Sequence, residues 1–134
     1  MSHYTAVATR FRRTEELIEA LRSLGLQPEV HDTPQKLRGG VFGAKGARIL
    51  VRRETLDPVP TSDVGFEPTA SGFIEIRMDA DDTAQYGPNS PWMGRIAQAY
   101  AYRLARRMLG EKGFTVVSEE QDDEGRIRLQ LTSG

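Results

Sequence analysis

The chain has 134 residues, of which 38% are apolar and 28% charged. That is enough for one domain burying roughly two thirds of its unfolded surface, and it excludes a disordered or membrane-spanning chain. With no cysteine it can form no disulfide, thiolate metal site or cysteine nucleophile, which suits a reducing, cytoplasmic setting. The net charge of −1 is unevenly spread, at +4 over residues 1–56, −6 over 57–89 and +1 over 90–134. This pattern reads either as a basic face beside an acidic one or as polar loops of different sign.

The opening "MSHYTAVATRF" lacks a charged segment followed by an apolar core, so it reads as a strand and not as a signal peptide. Thr14 is the expected N-cap of a helix over "EELIEALRSLG", with Leu17, Ile18, Leu21 and Leu24 on one face and Gly25 as its stop. "LQPEVHD" is a short strand that Pro28 pushes to a sheet edge. A glycine-rich stretch, "KLRGGVFGAKG", follows, and then a clear strand over "ARILVRRE". "VGFEPTASGFIEIRMD" gives two strands around a turn, and "DADDTAQYGPNSPW" reads as acidic and irregular. Ser90 and Pro91 start a second helix. Its core face is assigned to Met93, Ile96, Ala97, Tyr100, Leu104 and Met108. "FTVVSEE" and "RIRLQLT" close the chain as a hairpin around an acidic turn.

The order β-α-β-β-β-β-α-β-β predicts a single α+β domain over residues 1–134. Its expected architecture is a two-layer sandwich, a mostly antiparallel β-sheet with two α-helices on one face.

The glycine-rich stretch holds four glycines with Lys36, Arg38 and Lys45. It fails as a phosphate loop, because Ala44 precedes Lys45, Gly46 stands where a hydroxyl residue belongs, and a strand follows instead of a helix. "GVFG" fails as a KH-type clamp, since that loop joins two helices. The stretch reads as a mobile basic connection whose cations are available for contact. Asp79, Asp81 and Asp82 lack the spacing of a calcium loop and read as a solvated acidic segment, a second candidate contact surface. His3 and His31 have no partner spacing for a metal. No catalytic residue, metal site or cofactor is assigned. The second helix carries +4 over Ser90–Gly113. Arg103, Arg106 and Arg107, with Arg10, Arg12 and Arg13, therefore form a candidate phosphate-contacting set for nucleic acid.

Met1–His3, Arg38 with Gly39, Asp63–Phe66, Gln98 with Tyr100 and Ala101, and Gly113 with Phe114 occur in an order resembling domain-of-unknown-function family 1257. That family includes the hypothetical chloroplast open reading frame thirty-five-like proteins. The chain departs from it after the second hairpin strand, where family members carry tryptophans and only Trp92 remains here. The resemblance implies a cytosolic or stromal protein within a larger assembly, with an AAA-type ATPase or a ferredoxin-like protein as partner, and it implies no catalytic residues. The function expected is thus a non-enzymatic binding or adaptor protein. Its candidate contact residues are Lys36, Arg38, Lys45, Asp79, Asp81 and Asp82, and the alternative is nucleic-acid binding by the arginine set.

Overall fold

A computed structural model describes residues 4–40, 45–121, 123 and 126–133. Strands β1 (Tyr4–Ala8), β2 (Glu29–Gln35), β3 (Ala47–Val51), β4 (Val64–Pro68) and β5 (Ile74–Asp79) form one antiparallel sheet in the order β1-β5-β4-β3-β2. Strands β6 (Phe114–Gln121) and β7 (Ile127–Ser133) form a separate two-stranded hairpin. The helices are α1 (Thr14–Ser23), the single-turn α2 (Thr83–Tyr86) and α3 (Pro91–Glu111). The protein is therefore α+β, as its sequence pattern predicts, with β2, which Pro28 precedes, at a sheet edge.

Strand alternation sorts the residues of the large sheet onto two faces. Ile49, Val51, Val64, Phe66, Ile74, Ile76 and Met78 join Leu17 and Leu21 of α1 and Met93, Ile96 and Tyr100 of α3 in the main core. Leu37, Ala47 and Leu50 make a smaller cluster of their own. Register places Leu50 opposite Gly65 and Gly65 opposite Arg77, so this second cluster belongs to the face turned away from the helices.

Three local expectations need correction. Thr14 is the first residue of α1, not its cap; the cap position is Arg13, whose side chain makes no capping bond. The Tyr100 hydroxyl accepts from the backbone N–H groups of Arg12 (3.0 Å) and Arg13 (3.2 Å). A side chain of α3 thus secures the entry to α1. Ala97 and Met108 are exposed: Ala97 falls outside the Met93–Ile96–Tyr100 stripe, which Ala99 flanks instead, and Met108 lies beyond Leu104, where α3 runs on past the main core. The segment after β5 is also ordered, as a 3-10 turn over Ala80–Asp82 leading into α2. The predicted start of α3 is found as read, with Ser90 Oγ accepting from the Met93 N–H at 3.1 Å and Pro91 at the first position.

Candidate contact face

Leu37 carries the start of the glycine-rich stretch against the sheet face that the helices leave open. Leu37 is buried against Ala47 and Leu50. Gly65 makes room for it: a Cβ there would come 2.7 Å from the Ala47 Cβ and 3.3 Å from Leu37 Cδ1. Gly39 bridges to Ser62 at φ +106°, where a Cβ would meet the Thr61 carbonyl oxygen at 2.0 Å. The reading of this stretch as mobile is corrected for Lys36–Gly40, whose glycine permits close backbone contact. Val41–Ala44 lie outside the described residues.

Asp63 holds this arrangement together. Fully buried, its carboxylate accepts from the Arg38 N–H (2.7 Å), the Arg53 N–H (2.7 Å) and Arg52 Nη1 (2.8 Å). Arg52 in turn donates through Nε and Nη2 to Glu29, both at 2.9 Å, and through Nη1 to the Lys36 carbonyl at 3.2 Å. Hydrogen bonds from Arg52, then from His31 at 3.0 Å, hold the Glu29 carboxyl down to about 2. The same contacts with Glu29 push the Arg52 guanidinium above its ordinary range. The segments carrying Arg38–Gly39 and Asp63–Phe66, far apart in sequence, are thereby locked into one unit.

The acidic candidates meet a different fate. Asp82 is 6% exposed and accepts from the N–H groups of Thr61 (2.8 Å) and Ser62 (3.0 Å). Asp79 is 0% exposed; its N–H donates to Ser62 Oγ at 2.8 Å, and its carboxylate accepts from the Asp81 N–H at 2.9 Å. Neither is a surface acid, so the expectation of a solvated contact segment is corrected: both carboxylates are turned inward, where Asp82 satisfies backbone donors of the Thr61–Ser62 turn and Asp79 caps the turn that follows it. Only Asp81 is exposed.

The basic residues remain outside. Lys36, Arg38 and Lys45 are exposed. Among the described residues Lys36 and Lys45 form no ion pair, and Arg38 has only Glu54, at 3.4 Å with both side chains more than half exposed. A recess of about 440 Å³ opens here, lined by Gln35, Lys36, Leu37, Arg38, Gly39 and Arg52.

The arginine set is largely occupied. Arg13 pairs with Glu16 at 3.0 Å. Arg107 reaches Glu16 (2.9 Å), Glu15 (3.2 Å) and Glu111 (3.3 Å). Arg103 lies 3.9 Å from Glu19, and Arg106 donates to the Tyr102 hydroxyl at 3.0 Å and lies 3.9 Å from Glu119. Arg12 stacks over the Phe73 ring at 4.4 Å. Arg10 is exposed. Burial pushes the Glu16 carboxyl up, but hydrogen bonds from Arg13 and Arg107 outweigh it and leave the group below the usual range. On β6, Glu119 accepts from the Tyr102 hydroxyl.

His31 contacts Glu29, while His3 lies outside the described residues. Among the described residues no group of three His, Asp or Glu side chains is placed to hold a metal ion. No described helix is long and apolar enough to cross a membrane.

Residues 20–130 match the model of a family described as "Protein of unknown function (DUF1257)". The chain belongs to this family. It is also 28% identical over 131 residues to "Uncharacterized protein ycf35" of Cyanophora paradoxa, covering 96% of this chain and 94% of that one. No solved structure matches it significantly. The Arg38–Gly39 and Asp63–Phe66 segments singled out for the family resemblance are the two that Asp63 locks together. The Glu29–Arg52–Asp63 chain has no local sequence signature, although a lone Leu37 among cations does hint that this loop turns back on the sheet.

Proposed function

We propose that this family member is a non-enzymatic binding or adaptor protein of the cytoplasm, acting in a protein complex through the face carrying Lys36, Arg38 and Lys45. The observation that carries this reading is the contrast between two basic regions. On α3 the arginines Arg103, Arg106 and Arg107 already face carboxylates of α1, α3 and β6. On the loop, Lys36 and Lys45 face none among the described residues, and they sit beside a backbone anchored by Asp63. A preformed face with uncommitted charge is what a contact surface needs, because little order is lost on binding. An AAA-type ATPase or a ferredoxin-like protein is the first partner to try.

The test is affinity capture of the tagged chain from its native lysate, with and without nuclease, against a variant carrying Lys36→Glu, Arg38→Glu and Lys45→Glu. The reading expects one co-purifying protein that survives nuclease and disappears with the triple variant, whose circular dichroism is unchanged. Unchanged capture by the triple variant would remove the face from consideration. Recovery that collapses with nuclease would favour nucleic acid instead.

A further inference from the structure

We propose that the occupant of this face is an acidic segment of a partner protein, one carboxylate of which seats in the recess between Lys36 and Arg38. This names the partner chemistry for the contact reading above, on which it rests. The recess is lined by Gln35, Lys36, Leu37, Arg38, Gly39 and Arg52, with no carboxylate among the described lining residues. Glu29 and Asp63 hold Arg52 fixed between them, and their two carboxylates outweigh its single positive charge, so this wall adds none to the recess. The positive field comes from Lys36 and Arg38. Lys45 extends it, since a Cβ on the adjoining Gly46 would come within 2.4 Å of the Gln35 carbonyl oxygen.

Glu54 now occupies Arg38 at 3.4 Å, as an exposed pair. Such pairs contribute little and are readily exchanged for a better-placed carboxylate. About 440 Å³ accommodates an acidic side chain with its neighbouring backbone. The wall is built before the partner arrives: Leu37 is buried, the Arg38 N–H is bonded to Asp63, and Gly39 is bridged to Ser62. An acidic segment would supply the carboxylates that Lys36 and Lys45 lack among the described residues, while a basic or neutral one would leave both lysines unmatched.

The experiment titrates the full-length ¹⁵N-labelled chain at low ionic strength with acetylated, amidated hexaglutamate. Hexaglutamine and inorganic phosphate are run in parallel. The glutamate peptide should shift the amides of residues 35–39 and the Arg52 Nε–H resonance, and hexaglutamine should not. Lys36→Glu with Arg38→Glu should weaken binding about tenfold. Glu54→Gln, which frees Arg38 without touching the recess wall, should strengthen it about two- to fivefold.

Binding that maps to Arg103, Arg106 and Arg107, or that ignores all three substitutions, would overturn the proposal. So would shifts at residues 35–39 caused by phosphate but not by the peptide. If the peptide fails while lysate capture still needs Lys36, Arg38 and Lys45, the face is a contact surface but its occupant is not acidic. If capture is also indifferent to those residues, the contact reading itself falls.

Discussion

Replacing Asp63 with alanine should do more damage than any other single change outside the main core. The carboxylate is fully buried and accepts two backbone N–H groups and one guanidinium N–H. Its removal strands the N–H groups of Arg38 and Arg53 and leaves Arg52 with Glu29 as its one carboxylate. Hydrogen bonds to a charged group contribute about 1.5–3 kcal/mol each and do not add fully. Breaking a buried ion pair from one side typically costs about 3–5 kcal/mol, and we adopt that range for the whole change. It is a large part of the roughly 5–15 kcal/mol that stabilises an ordinary domain. At this chain length it corresponds to a fall in Tm on the order of 10–20 °C. Asp63→Asn keeps one acceptor oxygen but turns an NH₂ towards a donor, so its loss should be intermediate. Urea unfolding measures the stability, and hydrogen exchange at Arg38 and Gly40 reports release of the loop. A change below about 1 kcal/mol for Asp63→Ala, with both amides still protected, would refute this account of the loop.

Gly65→Ala should cost about 1–3 kcal/mol by overpacking Ala47 and Leu37, and a cycle with Leu37→Ala should show coupling between the two sites. Asp79→Asn should be neutral or stabilising in thermal melts, because one buried oxygen of Asp79 has no hydrogen-bond partner. Asp82→Asn should lose about 1–3 kcal/mol, since both its oxygens accept backbone donors. Glu29 is held at about 2 against an ordinary 4.5, so its contribution is fully present above about pH 4.5 and is lost as pH falls towards 2. With 39% of the side chain exposed, solvent screening limits that contribution to about 1 kcal/mol or less. Glu29→Gln should flatten this limb of the acid-unfolding curve, and an unaltered limb would count against the pairing with Arg52.

The parts of this fold set by local pattern were legible in the sequence. Alternation through Ile49 and Val51 and through Ile74, Ile76 and Met78 marked core strands, and Ser90–Pro91 marked a helix start, because each signal lies within a few residues. What was not legible depends on partners distant in sequence. Thr14 looked like a cap, yet Tyr100 arrives from 86 residues away by the numbering to accept the neighbouring amides. Asp79 and Asp82 looked solvated because acids cluster around them, but the Thr61–Ser62 turn presents donors that draw them inward. The α3 arginines stood as candidates for phosphate contact, and the carboxylates that occupy them lie on α1 and β6 as well as on α3 itself. Lys36, Arg38 and Lys45 kept their exposure, while Gly39 proved to be fitted to the Thr61–Ser62 turn and Gly46 to the Gln35 backbone.

The most direct test of the contact face is a calorimetric titration of the captured partner, once purified, against three forms of the chain. These are the wild type, the Lys36→Glu/Arg38→Glu/Lys45→Glu variant and an Arg103→Glu/Arg106→Glu variant. The account predicts wild-type affinity within about twofold for the helix variant and a loss on the order of a hundredfold for the loop variant. Equal affinity for wild type and loop variant, or a loss confined to the helix variant, would contradict it.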